Sequence, residues 1–158
     1  MEESVRVAEL SDREVLRSLA AEARVELSNK RGGDVVERLD PHRADSRAEI
    51  VSAVEDPAAT LLLGDIDGTP VGYGLMTLRT VVDGSLHATV EEIFVLPEAR
   101  SVGVGEAIIE TLLADASERG AAAIQSMALP GDRATKNFFE SQGMVARSIL
   151  VHRWLDGR

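Results

Sequence analysis

The chain opens on a two-residue alternation, with Val5 and Val7 apolar between polar neighbours in "SVRVAEL", the period of a half-buried strand. The period then lengthens. In "SDREVLRSLAAEARVEL" the apolar positions Val15, Leu16, Leu19, Ala23 and Leu27 recur at helical intervals behind Ser11 and Glu14, whose spacing is that of a capping box, and a first helix is predicted. Residues 29–44, "NKRGGDVVERLDPHRA", sustain no period and read as a loop with room for one helical turn, either a cover over a substrate or a plain connection. A short second helix in "DSRAEIVSAVED" is stopped by Pro57.

From Ala59 onward the texture changes to strands. "ATLLLGDI", "PVGYGLMTLRTVV" and "SLHATVEEIFVL" are joined by turn signals at Asp67-Gly68 and Asp83-Gly84, which predicts three sequential antiparallel strands. Val104 to Arg119 then places Val104, Ile108, Ile109, Leu112, Leu113 and Ala116 on one stripe and ends at Gly120, a long helix with a glycine stop. "AAAIQSMAL" follows as a strand of small residues, so strand, loop, helix and strand form a right-handed crossover with one parallel pair. "DRATKNFFESQG" reads as a short helix between an Asp132 N-cap and a Gly143 C-cap, and "VARSILVHRWL" as a closing strand. The sum is mixed α/β, expected as a single domain over residues 1–158.

Composition narrows the chemistry. Aromatic residues make up 3% of the chain, so the core must be aliphatic. The absence of cysteine removes disulfides and thiolate metal sites, and His42, His87 and His152 show no ligand spacing, so no metal is expected. A net charge of −10 opposes a polyphosphate partner, and no nucleic acid is expected. No apolar run approaches the ~20 residues of a membrane span. The N-terminus "MEESVRVAEL" has no export pattern, and a cytoplasmic protein without membrane contact is expected.

The most informative stretch is "RSVGVGEA", residues 100–107, between a strand and a helix. Amides from Val102 to Glu106 lie where a helix start leaves them without internal acceptors, and the helix dipole adds positive potential. Gly103 and Gly105 keep side chains off those amides, as a bound phosphate requires; a purely structural turn is the alternative. A Walker loop fails because Gly105 is followed by Glu106 and Ala107, and a dinucleotide fingerprint fails because Ile108 stands where its third glycine belongs. What remains is Arg-x-x-Gly-x-Gly.

That pattern, at Arg100, Gly103 and Gly105 directly after "VEEIFVLPEA", resembles the signature of the GNAT superfamily of N-acetyltransferases. "NFFESQGM" is similar to the family's later helix end, and the order of elements agrees along nearly the whole chain. The resemblance implies a central, mostly antiparallel sheet flanked by helices, with the parallel crossover at the site of its cosubstrate, acetyl-CoA. It also implies that the pyrophosphate rests on Val102, Gly103, Val104, Gly105 and Glu106, with Arg100 and Ser101 in the same loop. The pantetheine arm is then expected along Ile93, Phe94 and Val95, where their strand splays from the one holding Ile124 to Ala128. Asn137 is similar to residues that touch pantetheine or phosphate, with an ordinary exposed helix residue as the alternative, and Arg133 and Lys136 are candidates to meet the 3′-phosphate, with plain solvation as theirs. Two residues depart from the pattern: Glu106 puts a carboxylate in the first helical turn, and Ser101 stands where glycine is frequent.

For catalysis the resemblance points to a glutamate on the central strand as base, and Glu91 and Glu92 occupy the matching stretch. Strict alternation sends them to opposite faces, Glu91 with Ile93 and Val95, Glu92 with Val90 and Phe94, so only one reaches the cleft; Glu92 is preferred, and a solvated strand face is the alternative for each. The tyrosine that usually protonates the leaving thiolate is replaced by Phe139, and the chain's one tyrosine, Tyr73, is on another strand. Without cysteine no thioester enzyme intermediate is available, and direct transfer to a primary amine of a small molecule or peptide is expected. A weak or inactive CoA-binding sensor, and transfer of another acyl group, are the alternatives. An exposed final strand leaves room for a homodimer.

Overall fold

The structure, a computed structural model, describes residues 1–39 and 50–158. Its sheet runs in the order β1 (Glu3–Val7), β2 (Ala59–Ile66), β3 (Thr69–Thr80), β4 (Leu86–Val95) and β5 (Ala123–Gln125). The first four are antiparallel neighbours, and β5 joins β4 in parallel, as the crossover predicts. The turn between β2 and β3 is two residues long, with φ of 49° at Asp67 and 78° at Gly68, the paired left-handed conformation that matches strand twist.

Among the described residues, four helices seen from end to end accompany the sheet: α1 (Arg13–Ser28), α2 (Gly33–Leu39), α3 (Val104–Glu118) and α4 (Arg133–Ser141). One sheet face carries Leu62, Met76, Ala88 and Val90 packed with Ile108, Ile109 and Leu112 of α3 and Phe139 of α4. The other carries Leu61, Leu63, Tyr73 and Phe94 packed with Leu16 and Leu19 of α1. The helix α3 sits low on its face because β3 offers glycine beneath it: a Cβ at Gly74 would lie 2.5 Å from Ile108 Cγ2. That close seat fixes where the N-terminus of α3 meets the end of β4.

Several elements differ from the sequence reading. The capping box expected of Ser11 and Glu14 forms instead between Glu9 and Asp12 around a 3-10 turn at Leu10–Asp12 ahead of α1, where Asp12 Oδ2 accepts from the Glu9 amide at 2.8 Å. Asp12 is held there by Arg6, which donates to both its oxygens at 2.8 and 2.9 Å and reaches buried Asp65 at 3.3 Å. The described part of 29–44 contains the two-turn helix α2 rather than one turn. In "DSRAEIVSAVED", Ile50 to Ser52 are helical, and residues 45–49 lie outside the described residues. The strand β5 keeps three residues of the expected nine, and "VARSILVHRWL" forms no strand.

The decisive irregularity is in β4. Glu92 pairs with Leu75 and Val90 with Met76, so Glu91 is an extra residue, a bulge in an otherwise regular ladder. A bulge shifts the alternation by one. Accordingly Ala88 and Val90 pack toward α3, whereas Phe94, an even number of residues further, packs toward α1.

Candidate functional site

Pairing between β4 and β5 ends early. The parallel ladder runs only from His87 with Ala123 to Thr89 with Gln125, and Ser126 makes the last tie, its Oγ donating to Val90 O at 2.9 Å. Beyond that point Glu91–Val95 and Met127–Leu129 diverge, and a cleft of about 120 Å³ opens between them. Glu91, Glu92, Ile93, Phe94, Tyr73 and Phe139 are among the residues that line it. A strand edge that has parted from its neighbour can pair with an extended ligand through its backbone.

The bulge corrects the expected placing of the two glutamates. Glu91 follows Val90, which packs toward α3, and so turns to the α1 face; its Oε1 accepts from Thr77 Oγ1 at 2.6 Å. Glu92 precedes Ile93, which packs toward α3, and so turns to the α1 face as well, beside its pair Leu75. The two carboxylates therefore share one face and one cleft, both half-buried, and neither lies with Val90. Strict alternation had separated them because no residue type announces a bulge.

Helix α1 supplies the rim of the cleft. Lys30 Nζ lies 2.8 Å from Asp132 Oδ2 and 3.4 Å from Glu26 Oε1, and Glu26 Oε2 accepts from Arg100 Nη2 at 2.5 Å. Arg100 also donates Nε to Val95 O at 2.8 Å. A chain of charges thus ties the loop after β4, the last turns of α1 and the start of α4 into one wall. Burial pushes the Asp132 carboxyl up, but hydrogen bonds from Lys30 and Thr135 outweigh it and hold the group below its ordinary range. As N-cap of α4, Asp132 accepts from the Thr135 amide at 3.2 Å, the role read for it in the sequence.

At the far end of β4 stands the glycine loop. Gly103 is the N-cap of α3 with φ of 95°, a left-handed backbone that favours glycine, and the first internal bond of the helix runs from Ala107 N to Gly103 O at 2.9 Å. Among the described residues, no backbone acceptor takes the amides of Ser101, Val102, Gly103, Val104, Gly105 or Glu106. Ser101 itself has φ of 67°, which explains why glycine would be the easier residue there. Gly105 rests over Phe138 and Val95, and a Cβ there would find ordinary contacts of 3.6 and 3.8 Å. The Glu106 side chain is exposed, directed away from the core. Unoccupied amides in a turn at a helix start suit a diphosphate, and the open edge of β4 suits the extended arm beyond it.

Of the residues singled out in the sequence, Glu91, Glu92, Ile93, Phe94 and Phe139 meet in the cleft, and Val95 underlies the glycine loop. Asn137, Arg133 and Lys136 lie exposed on α4 outside the cleft wall, with Lys136 paired to Glu140 at 2.9 Å. Tyr73 was set aside as belonging to another strand, yet it pairs with Phe94 across β3 and β4 and is fully buried at the cleft. Glu26, Lys30 and Asp132 carried no signal of a shared wall, since α1 and α4 are distant in sequence.

Comparison with known proteins agrees with this geometry. The family described as Acetyltransferase (GNAT) family matches residues 19–144. No curated protein matches the chain by sequence. Among solved structures, a tetramutant of BH1408 protein from Bacillus halodurans superposes with a TM-score of 0.80 at 18% identity, covering 96% of this chain and 99% of that one. A ribosomal-protein-alanine N-acetyltransferase from Brucella melitensis biovar Abortus 2308 gives a TM-score of 0.69 at 21% identity, over 97% and 100% of the two chains. AAC(6')-Iy, in complex with the bisubstrate analog CoA-S-monomethyl-acetylneamine, gives 0.73 at 18%, over 98% and 99%.

Proposed function

The chain belongs to the acetyltransferase (GNAT) family and is an N-acetyltransferase of that type, and from that premise we propose that it transfers the acetyl group of acetyl-CoA directly to a primary amine of a small molecule or peptide. The reading treats residues 1–158 as one catalytic domain. The observation that carries it is the shared cleft: two carboxylates on one face of β4, next to an open strand edge that leads to a run of free amides.

Acetyl-CoA supplies an acyl group already activated as a thioester. The amides from Ser101 to Glu106 hold its diphosphate, with Gly103 setting the backbone hand and Arg100 fixing the loop against α1. The edge of β4 at Ile93, Phe94 and Val95 aligns the pantetheine arm. A lysine-like amine, with pKa ~10.4, is neutral in about one molecule per thousand near neutral pH, a cost of roughly 4 kcal/mol, so a proton acceptor beside the cleft is needed. Glu91 and Glu92 are that acceptor pair, one positioned to take the proton directly or through water, the other adding negative potential that attracts a cationic amine.

Proton return to the departing sulfur is the second requirement. Phe139 has no proton to give, and it is buried in the α3-side core. Tyr73 faces the same cleft and is assigned this role, with water as the fallback. The acidic wall, with Glu26, Glu91, Glu92 and Asp132 against Lys30, favours an acceptor that carries positive charge.

The test is release of free thiol from acetyl-CoA in the presence of a panel of amines, read above the background of hydrolysis. Turnover with a cationic amine is the expected result. Binding of CoA without turnover across the panel selects a sensor instead, and faster turnover with a longer acyl chain selects another acyl donor.

A further inference from the structure

A second cavity of about 170 Å³ opens beside the cleft, between the sheet and the helices α1 and α2. Its sheet side is lined by Glu91 and by Thr89 and Gln125, which pair in the short parallel ladder. Leu27 of α1, Val36 of α2, Met127 and Leu129 supply an apolar wall. That wall follows from a tight corner in the chain. A Cβ at Gly33 would collide with Leu27 O, so glycine lets α2 start hard against the end of α1. Arg24 Nε then lies 3.9 Å from Glu37 Oε1 and ties the two helices, with Val36 buried. A cavity needs only about 10–15 Å³ of such space to hold one water, so this one has room for an organic group of several heavy atoms.

Resting on the transferase reading above, we propose that the acceptor is a monoamine on an apolar body of several heavy atoms, and that this second cavity selects it. Glu91 lines both cavities, whereas Glu26, Lys30, Glu92 and Asp132 line the first and not the second. Glu91 therefore stands where the two join, its Oε1 accepting from Thr77 Oγ1 at 2.6 Å, and there it meets the acceptor's ammonium. Among the described residues it is the one charged side chain of the second cavity. A second positive charge carried inward would lose its water and find no counter-charge, since Thr89 and Gln125 offer neutral polar groups. The acidic wall of the first cleft does not compensate, because Glu26 is already paired with Arg100 and Asp132 with Lys30. Leu27, Val36, Met127 and Leu129 reward a hydrocarbon body instead. Polyamines and sugars bearing several ammonium groups are thus rejected, and a single amine on an apolar chain is accepted.

Two readouts on the full chain test this class of acceptor. Calorimetry with CoA bound compares uptake of n-pentylamine and of its terminal diamine of equal chain length without any chemistry, and thiol release from acetyl-CoA compares their turnover. The monoamine is expected to bind at least tenfold more tightly and to show at least tenfold higher kcat/KM. Gln125→Glu, nearly isosteric and at an exposed position, adds a carboxylate to the second cavity alone and is expected to shift that ratio at least tenfold toward the diamine. Diamine taken up as tightly as the monoamine, uptake of neither, or a ratio unmoved by Gln125→Glu overturns the proposal. Turnover that favours the diamine overturns it too and leaves the transferase reading standing. Preferential uptake of the monoamine without thiol release does the reverse: the selective cavity stands and the transferase reading falls.

Discussion

The glutamate cleft lies along β4 and the glycine loop follows that strand at the start of α3, and the two are built on opposite principles. The loop from Ser101 to Glu106 works through main chain: its donors are amides, and its side chains matter by being small or by tolerating a left-handed backbone. The cleft works through side chains brought from α1, β3, β4 and α4, and its geometry depends on one extra residue in β4. A main-chain site is robust to most substitutions and sensitive to backbone hand. A side-chain site is the reverse.

The sharpest break is at the carboxylates. Because the bulge turns both toward the cleft, Glu91→Gln with Glu92→Gln is expected to lower kcat/KM by about a hundredfold or more while CoA uptake by calorimetry stays near wild type. Either single change is expected to fall short of the pair. A single variant as inactive as the double identifies the base and leaves the other carboxylate an electrostatic part only.

Next comes the scaffold that places α1 at the cleft. Arg6→Met removes the partner of Asp12 and of buried Asp65, and the stability lost in denaturant unfolding is expected to be about 2 kcal/mol, discounted because the arginine is partly exposed. Hydrogen bonds from Arg6 hold the Asp12 carboxyl below its ordinary range, so this stabilisation is complete above the unfolded carboxylate pKa and fades as pH falls through the folded one. Thermal midpoints taken from neutral pH down into the acid range are therefore expected to decline less steeply in Asp12→Asn than in the wild type.

The two glycines of the loop separate backbone hand from ligand clearance. Gly103→Val forces a β-branched residue to a φ of 95° and is expected to weaken CoA uptake about tenfold or more with a loss of stability of roughly 1–2 kcal/mol. Gly105→Ala has room for its methyl within the protein and improves helix propensity, so it is expected to leave stability unchanged or slightly raised while still weakening uptake. Equal uptake by Gly105→Ala and wild type argues against a ligand pressed on that amide. Smallest is Ser101→Gly, which relieves a left-handed serine and is expected to stabilise by roughly 0.5–1 kcal/mol, with uptake retained.

How much of this was legible in the chain follows the same division. The three central strands and the helix α3 were readable because turn residues and apolar stripes act locally, and Arg100, Gly103 and Gly105 were readable because a main-chain site writes its needs into nearby glycines. The shared face of Glu91 and Glu92 was not, since a bulge arises from how β3 and β4 settle against two helical layers. Tyr73 was passed over for the same reason: its neighbour Phe94 is a cross-strand partner. The tail was misread because alternation in "VARSILVHRWL" records a capacity to pair and says nothing about what it pairs with.

By itself, then, the sequence determined the order of elements, the family, and a helix start stripped of side chains, because these depend on residues within a turn or two of each other. Tertiary structure decided which carboxylates meet, what walls the cleft, and which edges stay open. Those outcomes turn on ladder register and on helices seated over glycine, quantities that exist only once distant segments have packed.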